Sequence, residues 1–120
     1  MISKELLDTV LRTNVQQDDY YLKNNFLSYS YCRSDNEWIS KEINIYELAH
    51  KCKEWAKYKG YYIHSSVGDA SWGHFEFTPT AKIQSSRDGF LNIDSFMGET
   101  EPEAIFKACE WILKQKENNE

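Results

Sequence analysis

Residues 44–66 read N-I-Y-E-L-A-H-K-C-K-E-W-A-K-Y-K-G-Y-Y-I-H-S-S, and the hydrophobic period changes within them. In the first part Ile45, Leu48, Ala49, Cys52 and Ala56 recur at helical spacing on one face, with Trp55 at its edge. Asn44 with Glu47 three positions later has capping-box spacing. Lys59-Gly60 supplies a cation in the last turn, then a residue free to take positive φ, the chemistry of a helix end. From Tyr61 to Ser66 the period falls to two, as in a half-buried strand. A helix feeding a strand across one glycine sets the expectation of an α+β fold.

Downstream, residues 65–73 form a Ser, Gly, Asp and Ala loop. Residues 72–78, W-G-H-F-E-F-T, predict a strand with Phe75 and Phe77 on one face and His74 and Glu76 on the other, ended by Pro79. Residues 83–86 and 90–94 flank Arg87-Asp88-Gly89, whose Asp-Gly pair signals a hairpin. Thr100-Glu101-Pro102-Glu103 combines a threonine cap, a first-turn proline and a capping glutamate. The helix it opens runs to about Lys116, with Ile105, Phe106, Cys109, Ile112 and Leu113 inward, and frays from about residue 117. Upstream, Ser3 caps a short helix ending near Asn14, with Ile2 and Leu7 as a hydrophobic staple and Leu6, Leu7, Val10 and Leu11 as its stripe. Residues 15–25 carry no period and read as a connection. Residues 26–33 alternate as a strand, and Trp38 and Ile39 form a brief extended piece. The sum is one α+β domain over residues 1–120: an antiparallel sheet of about four strands packed by about three helices.

The whole-chain numbers agree. With 120 residues and 41% hydrophobic content, one domain buries roughly two thirds of its unfolded surface without staples. Three cysteines at 32, 52 and 109 form no C-x-x-C pair, so reduced thiols and a cytoplasmic location are expected. The first residues lack the uninterrupted apolar stretch of an export signal, and the longest strongly apolar runs have three residues, against about twenty in a bilayer span. A net charge of −5 and the absence of a Lys/Arg cluster disfavour nucleic-acid binding. Eight Tyr, six Phe and four Trp exceed what a core of this size needs, which assigns some rings to a surface.

From Asn44 onward, a helix ending at Gly60, aromatic strands and a last helix opening T-E-P-E-A-I-F-K-A at 100–108 resemble the small phage ABA-sandwich family. Thr100, Pro102, Ala104, Ile105 and Ala108 carry most of the likeness, which spans roughly residues 44–116. The resemblance implies an α-β-α sandwich and a phage or prophage accessory protein, and it brings no catalytic residues.

Three constellations compete for function. His64, His74 and Glu76 are the best acid/base or metal set, because adjacent antiparallel strands bring the two imidazoles to one sheet face. The plainer reading of all three is an ordinary polar sheet face. Cys52 and Cys109 sit in apolar helical stripes and read as core, and His50 is solvent-facing. The acids Asp18, Asp19, Asp35, Glu37, Glu99, Glu101 and Glu103 suggest a nucleic-acid mimic, although Glu101 and Glu103 already serve the helix dipole. Sheet aromatics suggest a single-strand binder, which normally needs a positive groove. The leading site is Trp111 with Ala104 and Ala108, a second stripe on the last helix where another helix can approach, either from this chain or from a partner; Trp72 raises the same question. The expectation is a non-enzymatic protein with no cofactor or bound metal that binds a host or phage protein, with a homodimer as one form, away from membranes and nucleic acid.

Overall fold

The computed structural model describes residues 2–16, 20–33, 35–67, 79–85 and 91–118. In chain order the elements are α1 (Lys4–Leu11), β1 (Tyr21–Lys23), β2 (Phe26–Cys32), β3 (Trp38–Asn44), α2 (Ile45–Tyr58), β4 (Tyr61–Val67), β5 (Pro79–Ser85), β6 (Leu91–Met97) and α3 (Glu101–Asn118). The fold is α+β with three helices, as expected. Its described strands number six, in two antiparallel sheets of order β1-β2-β3 and β4-β5-β6, where about four strands in one sheet were expected.

Each helix starts where its cap directs. The Ser3 hydroxyl accepts from the Leu6 N–H at 3.1 Å and donates to the Glu110 carboxylate at 3.0 Å, joining the α1 cap to α3. Asn44 accepts from the Tyr46 N–H at 2.8 Å. Thr100 accepts from the Glu103 N–H at 3.2 Å, while the Glu103 carboxylate takes the Glu99 N–H at 3.1 Å. α1 stops at Leu11, earlier than Asn14, because Arg12 takes the left-handed conformation, φ 55°, and closes the last turn. Gly60, at φ 93°, turns α2 into β4, a geometry that glycine adopts without a Cβ penalty.

In the first sheet β2 is central. Its partners align Leu27 with Ile43, Tyr29 with Lys41 and Tyr31 with Ile39 on one face. Leu27, Tyr29 and Ile43 are buried in the common core. β3 runs the full seven residues, not the two expected from Trp38 and Ile39, and β1 occupies part of the supposed connection. In the second sheet Ala81, Ile83 and Ser85 of β5 are buried, and α3 packs against all three strands while α2 packs on β4 and α3. Pro79 opens β5, at the strand's first position where its missing N–H is tolerated. The expected strand at 72–78 and the Arg87-Asp88-Gly89 turn lie outside the described residues.

The core is one cluster. Leu6 and Leu7 of α1, Leu48 and Cys52 of α2, Ile83 of β5, and Ala104, Ala108 and Cys109 of α3 are fully buried. Small side chains at Ala81, Ala104 and Ala108 let helix and sheet approach closely. Gly98, between β6 and α3, shows how close: a Cβ there would lie 2.7 Å from the Ala104 backbone nitrogen.

Candidate functional site

The residues singled out on the last helix all face inward. Ala104 and Ala108 are fully buried. The indole of Trp111 is half-buried, edge-on to Tyr61 of β4 with ring centroids 6.1 Å apart and planes at 89°. Trp111 thus meets a strand of the same chain, and α1, a helix of the same chain, also packs against α3, with the Ser3 hydroxyl bonded to Glu110. α3 packs against both α2 and the second sheet, so both of its apolar stripes are covered. Trp72 lies outside the described residues.

His64 is exposed on the face of the second sheet that points away from α3, where its ring nitrogen lies 2.9 Å from the Gln84 side-chain oxygen. Its directly paired neighbour is Lys82. His74 and Glu76 lie outside the described residues. His50 is exposed on α2, 3.0 Å from the Glu54 carboxylate. Among the described residues no three His, Cys, Asp or Glu side chains gather as a metal set, and no helix is long and apolar enough to cross a membrane.

Of the acids, Asp35, Glu37, Glu101 and Glu103 have local partners. Arg33 pairs with Asp35 at 2.8 Å, Ser65 donates to Glu101 at 2.6 Å, and Glu103 caps α3. Asp18 and Asp19 are outside the described residues. Cys32 is exposed, while Cys52 and Cys109 are buried between α2 and α3. The Cys109 thiol points at the Cys52 carbonyl, 3.6 Å away. Its hydrogen bond to the Cys52 side chain, followed by burial, raises its pKa far above the usual thiol range, so it stays protonated and unreactive.

Two surfaces that the sequence did not single out are better built. The first is the outer face of the β1-β2-β3 sheet. Register places Lys23, Phe26 and Asn44 in one row, Tyr21, Ser28 and Glu42 in the next, then Ser30 with Ser40, and Cys32 with Trp38. Tyr21, Phe26 and Trp38 are 57%, 46% and 58% exposed. Phe26 and Trp38 stand six residues of β2 apart, about 20 Å at the rise of an extended chain. Between them are hydroxyls, with Ser30 and Ser40 3.0 Å apart, and a shallow depression of about 580 Å³. The signal was present in the period of two at 26–33, but which face it buries depends on the helices.

The second surface is a cleft of about 630 Å³ between the end of α1, the flank of α2 and the buried side of the first sheet. Tyr29 and Ile43 form its sheet wall, and Glu47, Lys51, Trp55 and Tyr58 its helix wall. The Trp55 indole N–H is buried and has no hydrogen-bond partner among the described residues. Burial raises the pKa of the Tyr29 phenol; Lys41 opposes that shift, and Tyr31 and Glu47 reinforce it. A smaller recess of about 270 Å³, lined by Leu22, Leu27, Leu48, Pro102 and Phe106, lies where the β1–β2 turn meets the starts of α2 and α3.

No protein-family model matches the chain, and comparison with curated proteins and with solved structures gives no significant match.

Proposed function

We propose that the chain is a small non-enzymatic accessory protein, of the kind carried by phages and mobile elements, that acts in the cytoplasm by binding a host or phage protein. The α-β-α arrangement of the ABA-sandwich family belongs to the same proposal. The observation that carries it is the outer face of the first sheet, where Tyr21, Phe26 and Trp38 expose large rings around a hydroxyl-lined centre. Exposed aromatics are enriched where proteins meet, because they bury much area with few rotatable bonds, while hydroxyls satisfy polar groups of the partner. This shifts the surplus of rings noted in the sequence from α3 to the first sheet.

The test is a lysate pull-down with the full chain and with a Phe26→Ser/Trp38→Ser variant whose fold is checked by circular dichroism. A partner captured by the parent and lost by the variant is the expected result. Equal capture by both, or no specific capture, overturns the reading.

A further inference from the structure

We propose that the outer face of the first sheet closes on a second copy of this chain, turned end for end, in a reversible dimer that a tighter-binding partner displaces. From the reading above the inference takes only that this face meets protein.

The first support is where the rings stand. Phe26 and Trp38 lie at opposite ends of the face, with Ser28, Ser30 and Ser40 between them. A two-fold axis that lies in the interface and crosses the strands sets β2 over the partner's β2 in the opposite direction. The row of Phe26 and Asn44 then covers the row of the partner's Cys32 and the partner's Trp38, and the same contact recurs at the other end. Each Phe26 meets the partner's Trp38 one strand away. Tyr21, which borders the central depression, falls beside the partner's Tyr21 near the axis. An axis along the strands does worse, because β1 reaches only to Ser28 and each Trp38 would face no strand. Two-fold, self-complementary contact is the usual form of a homodimer, and stacked sheets lie about 10 Å apart.

The second support is the chemistry between the rings. Ser30 and Ser40 share a hydrogen bond at 3.0 Å, and Ser28 donates to Glu42 at 3.5 Å. The hydroxyls therefore keep partners when the face loses water. Lys23 and Glu42 give the face one cation and one anion, and Glu42 falls over the partner's Ser40. Two copies of a chain with net charge −5 can thus meet here without facing like charges.

The third support is area. With about 200 Å² for a whole aromatic side chain, three rings at the exposures given above present about 300 Å². Two copies bury about 600 Å² of ring, and the smaller residues of the face bring the total to roughly the 1,000 Å² at which specific interfaces begin. An interface at that lower limit dissociates readily, which leaves the face open to a partner that binds it more tightly.

The experiment follows the full chain by sedimentation equilibrium and NMR. Expected is a monomer–dimer equilibrium that Trp38→Ser, or Phe26→Ser, weakens about tenfold with an unchanged circular dichroism spectrum. Cross-peaks between the Phe26 and Trp38 rings should appear as the dimer forms. Within one chain these rings are about 20 Å apart, beyond the reach of a nuclear Overhauser contact, so such peaks come only from the partner. A chain that stays monomeric at NMR concentrations, a dimer indifferent to both substitutions, or a dimer without Phe26–Trp38 cross-peaks each overturn the inference. A host or phage protein captured by a strictly monomeric chain removes this inference and leaves the broader reading standing. The dimer with its cross-peaks, and no captured partner, does the reverse.

Discussion

At the scale of single residues, two positions combine a sharp constraint with a measurable consequence. Gly98 turns the chain from β6 into α3 so tightly that any Cβ meets backbone, the Ala104 nitrogen at 2.7 Å, and neither side can yield as a flexible side chain would. Gly98→Ala should cost about 1–3 kcal/mol, read as a lowered midpoint in thermal or urea unfolding. Tyr29 is the second position. Burial raises its phenol above the ordinary value near 10, against Lys41 and with the help of Tyr31 and Glu47. The unfolded chain releases this proton first as pH rises, so the stability tied to the neutral phenol is complete below about pH 10 and is lost as pH climbs through the folded-state value. Tyr29→Phe should therefore lose less stability than the parent between about pH 9 and pH 12, as followed by circular dichroism.

At the scale of elements, the helices were legible and the strands only partly so. Ser3, Asn44 and Thr100 announce their helices because capping depends on side chains within three residues of the cap, and all three make the capping bonds in the structure. β3 was not legible beyond Ile39 because Ser40, Lys41 and Glu42 break the apolar alternation; these are the polar residues an edge strand tolerates, since among the described residues only one of its sides is paired. β5 was recognised late, from Ile83, because Pro79 reads as a stop when a strand is expected before it. The contact of α2 with α3 carries its own prediction. Cys52 and Cys109 are buried in it, with the Cys109 thiol held protonated by its Cys52 neighbour and by burial. A thiol-specific reagent should modify Cys32 alone in the native protein and reach the other two only as the chain unfolds, counted by mass spectrometry against denaturant. Fast labelling of all three under native conditions would show that this contact opens readily.

At the scale of the whole molecule, the sequence by itself determined the α+β class, the positions of the three helices and their caps, and the core identity of residues such as Leu48, Cys52, Phe106 and Cys109. Those features follow from local spacing, which the chain carries wherever it goes. The candidate sites were less legible. Ala104 and Ala108 were set apart from the core face of α3 in the sequence, yet both are buried in the same core cluster as Ile105, Cys109 and Ile112, and the neighbour of Trp111 could not be read, because a helix does not record which element will lie beside it. Only the tertiary structure decided that Tyr61 meets Trp111, that the strands divide into two sheets, and that Tyr21, Phe26 and Trp38 share an uncovered face. It also brought Trp55, Tyr29 and Glu47 to one cleft from elements separate in sequence. The physical reason is that pairing and packing join residues far apart along the chain, so the surface left open is what remains after every long-range contact has been made.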